Sequence, residues 1–395
     1  MEENYRKYAE LIIKRCLSIK AGQPLLISTP IEPIEYIRVL TDVALENGVR
    51  DIYYDYNDGY IKHSHLKYLT NNELETNILF NKQIFDEYTK KGAAVLMLCG
   101  GNPDIMKDID NETLAFNAKL SNKSRKLFRS LQLTYEVPWC IASVATIDHA
   151  KKVFPNSNNP LENLWNAIFK MCLIDKDDPI KEWDNKIKNN QTRVNILNNL
   201  NIKKLKYKNK LGTDFEIRLN NNIWCGANTK GSDGRNLIVN MPTEEIFTSP
   251  DKDTMNGIVY SSKPLVYNGT IINNFWIKFK DGKVIDFDSE SGKDVLSTIF
   301  KINGGNKLGE VALVDVTSPI SKSNILFYET LYDENASCHL ALGEGFTECS
   351  KDKDPEWLNK SDTHVDFMIG TDDLLIEAQT DNGIVIIMKD GKFVI

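Results

Sequence analysis

The sequence predicts an α/β N-terminal domain with a mainly parallel sheet, followed by a β-rich α+β C-terminal domain. Three observations carry this. Apolar runs of buried-strand type alternate with helical spacing early in the chain. A charged, Asn-rich stretch over 181–201 separates two textures. Beyond it, period-two alternation and two Asp-Gly hairpin signals take over. The division is placed between residues 1–200 and 201–395.

Pro24-Leu25-Leu26-Ile27-Ser28 is a short apolar run of strand type. Ile34, Ile37, Leu40, Val43 and Ala44 then recur at helical spacing, and Gly48 is placed to stop that helix. Asp51-Ile52-Tyr53-Tyr54-Asp55 reads as a second strand. Ala93–Cys99 reads as a third, closed by Gly100-Gly101-Asn102-Pro103. Strand, helix, strand at this spacing is the βαβ pattern of a parallel sheet. A helical stretch is expected from about Pro160 to Leu200. In the second half Phe215, Ile217 and Leu219 alternate with polar neighbours, as on a half-buried strand. Asp281-Gly282 and Asp390-Gly391 each sit between strand-like runs, where the tight turn needs positive φ and glycine supplies it.

Composition limits the function classes. The 395 residues include 48 Lys+Arg and 55 Asp+Glu, a net charge of −7, with 42% hydrophobic and 26% charged residues. Such a chain has enough apolar mass for sizeable cores, which excludes global disorder. The acidic balance argues against a nucleic-acid binder. No apolar run approaches the roughly 20 residues of a membrane span. The start, Met1-Glu2-Glu3-Asn4, is acidic and polar, unlike a secretory signal, so a cytoplasmic location is expected. Seven scattered cysteines without a CxxC pair read as free thiols.

Four segments carry chemistry. In Thr363–Gly370, His364 and Asp366 project from one strand face while Val365 and Phe367 project from the other. Two such side chains can grip an ion, or simply hydrogen-bond to each other. Leu308–Asp315 is an apolar strand holding one carboxylate, Glu310. Either Glu310 faces water at the strand's start, or it is buried and needs a cation, a donor or a raised pKa. Asp333–Gly343 reads as a short helix, capped by Asp333 or Asn335 and ended by Gly343, with His339 among small and apolar residues. Cys338 is adjacent to His339, and adjacent helix residues do not face each other, which argues against a Cys–His dyad. Asn240–Pro250 packs Glu244 and Glu245 between two prolines. Together these residues offer imidazoles and carboxylates suited to a pair of divalent ions, Zn²⁺, Co²⁺ or Mn²⁺. Such a pair, about 3.5–4 Å apart, activates water for hydrolysis.

The same segments resemble the thermophilic aminopeptidases, the aminopeptidase T and aminopeptidase S group of dimetal exopeptidases, over nearly the whole chain. The resemblance rests on Lys7–Ile12, Ala21–Leu25, Pro138-Trp139-Cys140, Ala150–Pro155, Leu164–Lys170, Asp178-Pro179 and Trp183. Its most specific parts are Asn240–Pro250, Leu308–Val314, Thr330–Gly343 and His364–Gly370. It implies metal ligands at Glu245, Glu310, His339, His364 and Asp366, with Glu310 shared between the ions. Spacing to Glu310 favours Glu245 over Glu244. It also implies a C-terminal metal-binding domain, a homodimer, an enclosed active site and short peptides with a free N-terminus as substrates. Phe346 stands where the family usually places a tyrosine near the metals. A phenyl ring cannot donate to a developing oxyanion, and loss of one such donor costs about 10²–10³ in turnover. Glu344 is close enough to stand in as acid or base beside Glu310. The expectation is therefore a metal-dependent aminopeptidase with a dinuclear centre and a bridging water. The alternative is a catalytically weakened or inactive relative that still binds metal or peptide. A thiol hydrolase built on Cys338 or Cys140 lacks a recognisable base partner.

Overall fold

The computed structural model describes residues 1–226, 229–267, 270–353 and 355–395. The chain forms two compact units, one from Met1–Asn185 with Asn228–Pro242, the other from Lys186–Ala227 with Thr243–Ile395.

The first unit is built on a five-stranded sheet. Its strands run in the order Asn240–Met241, Trp139–Ser143, Ala94–Cys99, Leu25–Pro30 and Ile52–Asn57, and every neighbouring pair is parallel. Leu25–Pro30 is buried along its whole length, as its apolar run requires in a central strand. The helix Ile34–Glu46 buries Tyr36, Ile37, Leu40, Val43 and Ala44. Ile34, read from sequence as part of that face, is exposed at the first turn. Gly48 follows the helix with φ 89°, and a Cβ there would come within 2.9 Å of the Ala21 side chain. Both conformation and space therefore demand glycine.

The helical stretch expected from Pro160 to Leu200 is two helices, Pro160–Met171 and Pro179–Asn199. Leu173 adopts φ 60° between them, and Pro179 opens the second helix where its missing N–H costs nothing.

The second unit holds an eight-stranded and a five-stranded antiparallel sheet. In the larger, Asp214–Arg218 buries Phe215 and Ile217, as the alternation predicts. Asp281 and Gly282 (φ 47° and 79°) join Trp276–Lys280 to Lys283–Asp288, and Asp390 and Gly391 (φ 51° and 67°) join Gly383–Lys389 to Lys392–Phe393. Both are the double-positive-φ turns that match strand twist. The smaller sheet has the order His364–Met368, His339–Gly343, Leu308–Leu313, Ile246–Thr248, Cys225–Gly226.

The helix read over Asp333–Gly343 is corrected. Thr330–Asp333 is a single helical turn, Glu334–Ala336 is 3₁₀, and His339–Gly343 is a fully buried strand. Pairing on both edges, with Leu308–Leu313 and His364–Met368, overrides the helical preference of Leu and Ala. Cys338 and His339 still point apart, now because successive strand residues alternate faces.

Candidate metal centre

Register places the candidate residues. Glu310 lies opposite Ala341, and Ala341 opposite Asp366. Residues opposite one another share a face, and those two apart return to it. One face of the sheet thus collects Glu310, His339, Ala341, Gly343, His364 and Asp366. Phe247 is opposite Ala312, and Ala312 is opposite His339, so Phe247 lies on this face too. Ala312, Ala341 and Gly343 are small and leave room for the long polar side chains. The opposite face sends Val311, Leu313, Leu340, Leu342, Val365 and Phe367 into the core.

A β-bulge sets Glu310 on the polar face. Leu308 pairs with Leu342 and Glu310 with Ala341, so Gly309 is the extra residue. Leu308 can then face the core while Glu310 faces the donors. A Cβ on Gly309 would fall 2.1 Å from the Glu344 carbonyl oxygen, so only glycine fits.

Two donor groups result: Glu245, Glu310 and His339, and Glu310, His364 and Asp366, each with ligand atoms within 4.8 Å of one another. Glu310 belongs to both. His339 Nε2 is 3.2 Å from Glu245 Oε2. His364 Nε2 is 3.1 Å from Glu310 Oε2 and 3.2 Å from Asp366 Oδ1. Each ring is oriented from behind: His339 Nδ1 donates to Ser337 O (3.2 Å) and His364 Nδ1 to Glu344 O (2.8 Å). That leaves both Nε2 atoms aimed at the carboxylates, the arrangement by which outer partners fix a ligating histidine. Glu310 and His339 are 3% and 1% exposed, and the His364 side chain is 27% exposed. Glu310 is therefore not the solvent-facing residue that its place near the strand's start allowed.

Burial lifts the Glu310 carboxyl to about 7; Glu245 and Asp366 add to the rise, while His364 and His339 oppose it. Burial works against a charged His339, but the Glu245 carboxylate, with Glu310 and Asp366, outweighs it and raises the imidazole to about 10. His364 is raised for the same reason, by Asp366 and Glu310 against burial. Asp366 is also buried, yet His364 and His339 hold it below its ordinary value. Among the described residues, protons held on His339 and His364 offset this crowd of buried carboxylates. Divalent cations would balance it better, and imidazole nitrogens with carboxylate oxygens suit Zn²⁺, Co²⁺ or Mn²⁺. The residues present fit a metal.

Other carboxylates sort themselves by partner. Glu244 points away from the donors to an ion pair with Lys186, and its N–H donates to Asn335 Oδ1 (2.6 Å). The Glu344 carboxylate accepts the Ser361 N–H, and neither of the two donor groups found among the described residues includes it. Glu334, not singled out in the sequence, lies against the site. Burial raises its pKa, and the charges of Asp366, Glu245 and Glu310 raise it further. Its sequence signal is an acid next to a run of small and apolar residues, Ala336 to Ala341, that holds His339. Phe346 places its ring 5.0 Å from that of His364 and 5.4 Å from Phe247. The Cys338 thiol donates to Val314 O, and burial pushes it up to about 12, which leaves it inert as a nucleophile.

The family described as thermophilic metalloprotease (M29) matches residues 1–393. The chain is similar to aminopeptidase 2 of Geobacillus stearothermophilus, at 36% identity over 99% of this chain and 95% of that protein. It is similar to aminopeptidase AmpS of Bacillus subtilis, at 35% identity over 95% of this chain and 94% of that one. The solved structure of wild-type AmpT from Thermus thermophilus matches with a TM-score of 0.91 and 28% identity, covering 99% of both chains.

Proposed function

The chain belongs to the thermophilic metalloprotease family (M29), and on that premise we propose that it is a metal-dependent aminopeptidase removing the first residue of short peptides. The observation that carries the reading is the Glu310 carboxylate, common to two donor groups on one sheet face. We assign Glu245, Glu310 and His339 to one ion and Glu310, His364 and Asp366 to a second, with Zn²⁺, Co²⁺ or Mn²⁺ as the candidates. Bound divalent ions supply Lewis acidity, which polarises a scissile carbonyl and makes water acidic enough to attack near neutral pH.

The chain's own residues do the rest. Ser337 O and Glu344 O hold the two imidazoles by their Nδ1 protons, so that Nε2 faces the centre. Three ligand carboxylates against two divalent cations leave no net negative charge, so a peptide's free α-amine would be held by an ion and by Glu334, the carboxylate beside the donors. Burial raises Glu310 to about 7 only in the metal-free protein; a carboxylate shared by two cations would be held ionised, so general acid–base work falls to a carboxylate outside both donor groups. Glu334, raised by burial and by the charges of Asp366, Glu245 and Glu310, is one such carboxylate. Glu344 is another: its carboxylate accepts the Ser361 N–H and has further acceptor capacity, while its main-chain carbonyl accepts from His364. Phe247 and Phe346 form an apolar wall beside His364 that excludes water from that side.

Phe346 favours a second reading, a weakened enzyme or a peptide binder, because the ring beside His364 carries no hydroxyl. A homodimer and a cytoplasmic location, implied by the resemblance and by seven free thiols, belong to the same proposal. The test is release of N-terminal residues from short unblocked peptides by protein loaded with each ion. Release from unblocked but not N-acetylated peptides supports the proposal. No release with any of the three ions, from protein shown to be folded and metal-loaded, contradicts it.

A further inference from the structure

The face that carries the donors also carries Cys225, one member of a thiol pair. Cys225 is opposite Phe247 in the sheet. Its Sγ is 3.9 Å from Sγ of Cys349, at the end of the 3₁₀ turn Thr347–Cys349. The backbone holds the two segments together. Ile223 N–H donates to Cys349 O (2.6 Å), Lys351 N–H donates to Asn221 O (3.0 Å), and Asn222 bridges Ser350 in antiparallel fashion. Cys225 is half-buried and Cys349 is fully buried. A second thiol pair, Cys16 and Cys140, is fully buried and so shielded from a peroxide, unlike Cys225. The turn is also the one that carries Phe346, since Cys349 N–H donates to Phe346 O (3.1 Å).

We propose that Cys225 and Cys349 form a reversible disulfide when the protein meets a peroxide, joining the Phe346 turn to the outer strand of the donor sheet. Cys225, the accessible member, reacts first. Its thiolate attacks one peroxide oxygen, an S–O bond forms, the O–O bond breaks, and hydroxide leaves as water once protonated. Cys349 sulfur then attacks the Cys225 sulfenic sulfur. The S–S bond forms, the S–O bond breaks, and a second water leaves with the Cys349 proton. Two thiols give up two electrons and two protons, and one peroxide becomes two waters. The sulfurs must close by about 2 Å to reach bonding distance, a movement within reach of side-chain rotation. Because the main-chain hydrogen bonds already pair the segments, little backbone order remains to be lost. The link fixes the wall formed by Phe247 and Phe346, whose ring lies 5.4 Å from its partner and, for Phe346, 5.0 Å from His364.

The experiment treats the full-length, metal-loaded protein with hydrogen peroxide, alkylates the remaining thiols and maps the peptides by mass spectrometry. The expected result is one linked pair containing Cys225 and Cys349, lighter by two hydrogens, restored by dithiothreitol, with the other five cysteines still alkylated. Cys225→Ser and Cys349→Ser should each abolish the link. A single-thiol variant that loses the fold is recognised by circular dichroism, and the wild-type map then decides alone. The proposal is overturned if both thiols stay reduced, if Cys225 stops at a sulfenic or sulfinic acid, or if either pairs elsewhere. None of these readouts depends on peptidase activity, so this proposal and the assigned function fail separately.

Discussion

Glu310 Oε2 stands 3.1 Å from His364 Nε2, and the same carboxylate closes a second donor group with Glu245 and His339. Replacing it with glutamine keeps the shape but removes the charge that both groups share. Changes to outer partners of metal ligands cost about 10–100-fold in affinity, so a shared ligand should exceed that range. Glu310→Gln is expected to lose measurable binding of both ions in titration calorimetry and to lose peptidase activity. Burial already disfavours this charge, so the chelated variant should melt no lower than the chelated parent. Retention of two ions at parental affinity would refute the shared role.

Asn335 is fully buried and ties two candidate ligand segments together. Its Oδ1 accepts the Glu244 N–H (2.6 Å), next to Glu245, and its Nδ2 donates to Leu331 O (3.0 Å) and Glu334 Oε1 (3.4 Å). Asn335→Ala should cost about 1–3 kcal/mol of stability by leaving a buried N–H unpaired. It should also weaken metal binding about 10–100-fold. Chemical denaturation of the chelated protein reads the first effect, and metal titration under native conditions reads the second. A stability loss without any loss of metal affinity would leave Asn335 a packing residue only.

Phe346→Tyr adds a hydroxyl beside His364. If an oxyanion donor is missing there, turnover should rise by up to about 10²–10³ while KM changes little. An unchanged kcat in a folded, metal-loaded variant would show that the position does not limit catalysis.

The stability that metal adds should grow with pH. In the metal-free chain burial raises Glu329 from 4.5 and Asp333 from 3.8, both to about 7. Across that window the folded state binds more protons than the unfolded one, so stability falls as pH rises. His339, raised from 6.5 to about 10, adds stability that is complete below 6.5 and is lost as pH climbs through about 10. A cation must displace the imidazole protons, so its stabilising effect grows with pH. Scanning calorimetry with a chelator and with excess Mn²⁺ should show the gap between the two Tm values widening from mildly acidic to mildly alkaline pH. A constant or shrinking gap would count against ligation by these histidines.

Much of this was legible in the sequence where local spacing encodes geometry. His364 and Asp366 are two apart on a strand, so their common face followed from the pleat alone. The parallel sheet followed from apolar runs separated by a helix, and both Asp-Gly turns followed from their φ requirement. His339 was misplaced on a helix because Leu340, Ala341 and Leu342 are good helix formers, and only pairing with strands distant in sequence makes them extended. The alternation of His339, Ala341 and Gly343 was present but short. Glu334 sits in a 3₁₀ turn without periodicity, so its approach to the donors is a tertiary fact. The bulge at Gly309, which turns Glu310 to the donor face, likewise depends on the partner strand.

The most direct measurement is anomalous diffraction from a crystal soaked in Zn²⁺ or Mn²⁺. The account predicts two peaks flanking Glu310, one among Glu245, Glu310 and His339 and the other among Glu310, His364 and Asp366. A single peak, or ions bound elsewhere while these side chains stay bare in excess metal, would contradict it.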